Sequence, residues 1–140
     1  MVCLGNICRS PLAHGIFQDL AVDHNIKVDS AGTANYHTGA APDPRSIEIA
    51  AKKGIDISPQ QVRQFVVEDF DRFDYIYVMD KSNQQNVLRL ARTEEDRAKV
   101  HLLLGNAEVE DPYYGGKEGF SIVFDKIQKA CQHILDQWKK

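Results

Sequence analysis

The chain has 140 residues, 43% hydrophobic and 26% charged, with a formal net charge of -3 and a pI near 5.9. That length suits one compact domain over residues 1–140, with a core that needs no covalent staples. The acidic balance, with no basic cluster to overrule it, excludes a nucleic-acid binder.

Three cysteines make no disulfide framework and leave at least one thiol free, which points to reactivity and to a reducing, cytoplasmic setting. Apolar runs are only a few residues long, so none can span a membrane, and no signal-peptide pattern leads the chain.

Taken in order, Ser10-Pro11 has the form of a helix start, with serine as the N-cap and proline at the first helical position. Leu12, Ala13, Ile16, Phe17 and Leu20 follow at helical spacing, which predicts a helix from about Pro11 to Val22. "IKVDSAG" alternates and ends at Gly32, a short strand leading into a loop. "TANYHTGAAPDPR" is rich in turn formers and reads as a long surface loop, a common carrier of function.

A second helix is predicted over Arg45 to Lys53, with Ile47, Ala50 and Ala51 inward and Gly54 as its stop. "FDYIYVMD" reads as a strand covered on both faces, and helix-compatible sequence runs from about Lys81 to Arg92. "VHLLL", closed by Gly105, is another buried strand, and "EDPYYGGKEGF" is a loop. In the last helix Phe120, Val123, Phe124, Ile127, Ala130, Cys131, Ile134, Leu135 and Trp138 form one apolar stripe. Strands alternating with helices predict an α/β sandwich around a mostly parallel sheet.

The stretch "VCLGNICRSP" carries the chemistry. If Leu4 to Cys8 curl into a ring, their backbone N–H groups converge on one point, at which the following helix aims its positive end. Arg9 adds a planar fork for two oxygens of a phosphate. A cysteine at the bottom of this cradle, Cys3, would have its thiolate stabilised by the same donors and act as a nucleophile. Gly5 suits the bend, Asn6 tolerates a left-handed backbone, and the Ser10 hydroxyl can face the thiolate.

Seven arginines among 140 residues place one six positions after a cysteine by chance in roughly one case in twenty. By spacing alone the commoner reading is a buried strand-end cysteine before a capped helix. Asp111, in "EDPYYGG", supplies the proton donor that such a nucleophile needs, although Asp-Pro more often simply begins a turn.

Together "VCLGNICRSP", "DSAGT", "FDYIYVMDKSN" and "EDPYYGG" resemble the low-molecular-weight protein tyrosine phosphatases, in order and over nearly the whole chain. The resemblance implies a three-layer sandwich with a four-stranded parallel sheet, order 2-1-3-4, and the site at its carboxyl edge. It implies that Cys3 forms a phosphocysteine and that Leu4, Gly5, Asn6, Ile7, Cys8 and Arg9 cradle the phosphate. Asn6 and Ser10 would brace the ring, with Ser30 hydrogen-bonded to Asn6, and Asp111 would serve as general acid and then base. Tyr36, Tyr113 and Tyr114 would wall a slot suited to a phenyl phosphate; Cys8 reads equally as a small apolar side chain under the loop or, as the resemblance implies, a resolving thiol for an oxidised Cys3.

No metal or cofactor is implied. Partners would be phosphotyrosine proteins and a tyrosine kinase acting on Tyr113 or Tyr114, with no nucleic acid or membrane partner, and the chain a monomer or weak dimer. Arsenate reductase shares the scaffold, but its thiol relay needs mid-chain cysteines, and none lies between Cys8 and Cys131. Protein-arginine phosphatases typically carry Thr where Ile7 stands. A module that binds phosphotyrosine without turnover is the remaining alternative.

Family members carry several apolar residues ahead of the loop, whereas only Met1 and Val2 precede Cys3 here. Strands usually run about five or six residues. The first strand is therefore expected to be a stub whose neighbours lose ladder partners, with a truncated start as the expected cause.

Overall fold

The computed structural model describes residues 1–113 and 115–139; Tyr114 therefore lies outside the described residues. Four strands, β1 (Val2–Cys3), β2 (Ala31–Gly32), β3 (Ile76–Val78) and β4 (Val100–Leu102), form one parallel sheet in the order β2-β1-β3-β4. Helices α1 (Arg9–Leu20), α2 (Pro44–Lys52) and α6 (Lys117–Trp138) pack together on one face. The short helices α3 (Asp69–Arg72), α4 (Lys81–Leu88) and α5 (Glu94–Ala98) complete the element set, α4 and α5 lying against β3 and β4.

Because side chains alternate across a strand, the sheet serves two cores. Cys3 and Met79 point into the cluster of Leu12, Ile16, Phe17, Phe124 and Ile127. Val2, Ile76 and Val78 point the other way, onto Phe65, Phe70 and Val87.

The stub keeps its ladder. Ala31 N–H donates to Met1 O (3.0 Å), Met79 N–H to Val2 O (3.1 Å), Thr33 N–H to Cys3 O (2.9 Å) and Ala34 N–H to Leu4 O (2.9 Å). Two residues thus seat the loop between two neighbours. β2 is confined to Ala31–Gly32, the two residues lying alongside Val2–Cys3, instead of running from Ile26.

Other boundaries shift for local reasons. α1 begins at Arg9, and Ser10 lies inside it without capping it. In α2 Ser46 and Ala50 are buried and Ile47 packs half-buried against the same core, whereas Ala51 is exposed; Ser46 tolerates burial because its hydroxyl donates to Cys8 O at 3.4 Å. Asp43 caps α2, and Gly54 follows it with φ +80°, the left-handed stop the sequence predicts. α4 ends at Leu88 rather than near Arg92, whose N–H is drawn to Asp96 Oδ2 at 2.9 Å. Trp138 ends the α6 stripe partly exposed, edge-on to Phe17 at 5.3 Å. No helix among the described residues is long and apolar enough to cross a membrane.

Candidate active site

The loop from Leu4 to Cys8 leaves the carboxyl end of β1 and runs directly into α1. Asn6 has φ +56°, a conformation that asparagine tolerates better than most residues. Its side chain holds the ring at both ends: Nδ2 donates to Ser10 Oγ (2.7 Å), and Oδ1 accepts from Arg63 N–H (3.1 Å). With one lone pair taken by Asn6, the Ser10 hydroxyl has its proton for Cys3 Sγ at 3.1 Å or the more distant Ala31 O at 3.4 Å. The amides of Gly5, Asn6, Ile7 and Cys8 find no acceptor among the described residues.

Glycine is demanded beneath the loop rather than in it. A Cβ on Gly32 would lie 2.8 Å from Leu4 O, 2.9 Å from Gly5 C and 3.0 Å from Asn6 N. A Cβ on Gly5 would meet only ordinary contacts, Ile7 Cγ1 at 3.6 Å and His37 Cδ2 at 3.9 Å.

Arg9 is almost wholly buried at 3% exposure. Its Nη1 donates to Asp80 Oδ2 (2.7 Å) and to Val109 O (2.9 Å), while Nη2 lies 3.7 Å from Asp111 Oδ2. Burial opposes its charge, but Cys3, Asp80 and Asp111 more than offset that and hold its pKa above the ordinary arginine value. Asp80 also caps α4 through Asn83 N–H at 2.7 Å, so one carboxylate ties Arg9 to the helix beyond β3.

Asp111 Oδ1 accepts from Tyr113 N–H (3.0 Å). The loop is moored to α2 by Arg45, which clasps Asp43 and donates to Tyr113 O (3.0 Å) and Gly115 O (3.3 Å). The Arg45 guanidinium also lies over the Tyr113 ring at 5.4 Å. Cys3, Leu4, Gly5, Ile7, Cys8, Arg9, Tyr36, Asp111 and Tyr113 therefore open onto one cleft of about 180 Å³, together with His37.

Ser30 departs from expectation. Its hydroxyl meets His14 Nδ1 at 3.0 Å, and Ser10 takes the Asn6 amide instead, because α1 carries Ser10 directly over the ring. Cys8 is buried, and its thiol is pushed up to about 12 by burial, with Asp43, Asp111 and Cys3 adding to the effect. Among the described residues no acidic, histidine or cysteine cluster could hold a metal ion.

Asp80, Asp43, Arg45, His14, Arg63 and the Val109 carbonyl are the partners sequence reasoning missed. Two of them carried a signal: Asp80, an aspartate between a buried strand and a helix start, and Asp43, an aspartate directly before a proline at a helix start.

The fold is thus of the α/β class, with a cysteine, an arginine and an aspartate lining one cleft at the carboxyl edge of its parallel sheet. The family model described as low molecular weight phosphotyrosine protein phosphatase matches residues 1–140. The human low molecular weight phosphotyrosine protein phosphatase is 40% identical, across 97% of this chain and 92% of its own. The Streptomyces coelicolor low molecular weight protein-tyrosine-phosphatase is 38% identical, across 96% and 88%. A crystal structure of a protein tyrosine phosphatase from Entamoeba histolytica superimposes with a TM-score of 0.92 at 34% identity, covering 99% of this chain and 94% of that one. Wzb of Vibrio vulnificus superimposes with a TM-score of 0.89 at 32% identity, covering 97% and 94%. The chain belongs to the low-molecular-weight phosphotyrosine protein phosphatase family and is, as such, a phosphatase.

Proposed function

We propose that this chain hydrolyses phosphotyrosine in proteins, and small aryl phosphates, through a phosphocysteine on Cys3. The observation that carries this reading is the convergence of Cys3, Arg9 and Asp111 on one cleft, with Ser10 Oγ 3.1 Å from the sulfur.

The Cys3 thiolate attacks phosphorus while Arg9 and the loop amides take the equatorial oxygens. As the P–O ester bond breaks, Asp111 gives its proton to the leaving phenolic oxygen. Water then attacks phosphorus, Asp111 takes back a proton, and the S–P bond breaks to release phosphate and the thiolate. Arg9, braced by Asp80 and Val109 O, is already positioned and costs little reorganisation as charge builds.

Tyr36 and Tyr113 supply aromatic walls, and the Vibrio relative in complex with benzylphosphonate supports a ring-bearing ligand. Cys8 lines the same cleft as a free thiol. A Cys3 sulfenic acid formed by peroxide would condense with it to a disulfide and water.

Rapid-quench assays with p-nitrophenyl phosphate, and with phosphotyrosine and phosphoarginine peptides side by side, test the proposal. Cys3→Ser is expected to lose at least about 10³-fold in kcat and the acid-stable phosphoenzyme signal with it. Wild-type turnover by Cys3→Ser, or preferential hydrolysis of the phosphoarginine peptide, refutes it.

A further inference from the structure

Beside the cleft lies a second depression of about 400 Å³, lined by Leu4 and Tyr36, which line the cleft as well, and by Phe65, Val87, Arg89 and Leu90. Three of these carry apolar surface into solvent: Leu4 is 40% exposed, Leu90 43% and Tyr36 72%. Apolar side chains gathered around one concave site mark a binding surface rather than scattered exposure.

Charge singles out the same place. Arg9, Arg45, Arg63, Arg72, Arg92 and Arg97 all pair with carboxylates. Arg89 alone among the seven has no carboxylate partner among the described residues; its Nη1 donates to the neutral Asn86 Oδ1 at 2.8 Å. An unpaired, exposed guanidinium at the rim of an apolar groove suits an incoming carboxylate.

We propose that this groove reads the residues that flank phosphotyrosine in the protein substrate. It takes an apolar side chain between Leu4, Tyr36 and Leu90, and an acidic side chain on Arg89. The inference rests on the phosphatase reading above. Because Leu4 and Tyr36 border both depressions, a chain leaving the cleft on that side passes over the groove. An extended peptide advances about 3.4 Å per residue, so residues within about three positions of the phosphotyrosine reach it. A small aryl phosphate ends at its ring and does not.

The test compares p-nitrophenyl phosphate with two phosphotyrosine peptides, assayed on wild type, Leu90→Ser and Arg89→Ala. One peptide carries Leu and Glu within three positions on both sides; the other carries Ser and Gly there. Wild-type kcat/KM is expected to favour the Leu/Glu peptide by about tenfold. Each substitution is expected to remove about threefold or more of that preference through KM, with p-nitrophenyl phosphate turnover within about twofold of wild type. Equal wild-type rates on the two peptides overturn the groove and leave the phosphatase reading standing. So does a preference that survives both substitutions, or a loss equal on peptide and p-nitrophenyl phosphate. No turnover of any of the three overturns both.

Discussion

Replacing Gly32 with alanine tests how the phosphate loop is supported. The new Cβ would sit 2.8 Å from Leu4 O, 2.9 Å from Gly5 C and 3.0 Å from Asn6 N. Comfortable separations are about 3.5–4.0 Å, so the overlap is roughly 0.5–1 Å against three backbone atoms at once. None of them is the far end of a flexible side chain, and Gly32 is itself pinned by pairing with Cys3 and by its N–H to Arg63 O at 2.9 Å. Relief therefore requires the loop to lift away from β2.

Overpacking of this kind costs about 1–3 kcal/mol, which for a chain of this size lowers Tm by roughly 3–12 °C. Displacing loop amides by even ~1 Å is expected to cost about 10²-fold in kcat/KM. The assays are a thermal melt followed by circular dichroism and p-nitrophenyl phosphate kinetics. Gly5→Ala, whose Cβ has ordinary contacts, serves as the stability control and is expected to hold Tm within about 2 °C. A Gly32→Ala protein that melts with wild type and keeps its kcat/KM refutes the argument.

Asp80→Ala removes the carboxylate that holds Arg9 and caps α4; kcat is expected to fall at least about tenfold, with loss of the cap costing about 1 kcal/mol in urea denaturation. Asp80→Asn, which retains an N-cap oxygen, is expected to recover most of that stability but not the rate. Iodoacetamide at pH 7.5 is expected to label Cys3 and spare Cys8 and Cys131, whose thiols burial pushes to about 12; peptide mapping by mass spectrometry reads this, and equal labelling of Cys8 contradicts it. Burial lowers the pKa of His14 below 6.5, so below that pH the unfolded chain binds the extra proton first. Its contribution to stability is complete above pH 6.5 and is lost as pH falls through the folded-state value, so the urea midpoint should drop more steeply on acidification for wild type than for His14→Gln.

The geometry of the loop was legible in the sequence because its parts are adjacent. Cys3, the bend at Asn6 and the helix start after Cys8 lie within one short stretch, and their geometry follows from local backbone preferences. β3 and β4 were legible as apolar runs and α6 as a stripe, because burial shows in the apolar content and period of neighbouring residues. What depends on contacts distant in sequence was not. Arg9 finds Asp80 71 positions away and Val109 O 100 positions away. Ser30 turns to His14, and Ser46 rather than Ala51 faces inward.

The glycine that matters proved to be Gly32, beneath the loop, not Gly5 within it. The two-residue first strand likewise holds the cradle because the chain order places β2 and β3 on either side of it. Local sequence determined which residues can form a phosphate loop. The long-range strand order, by bringing β2, β3 and the Asp111 loop around it, decided what holds that loop and what faces it.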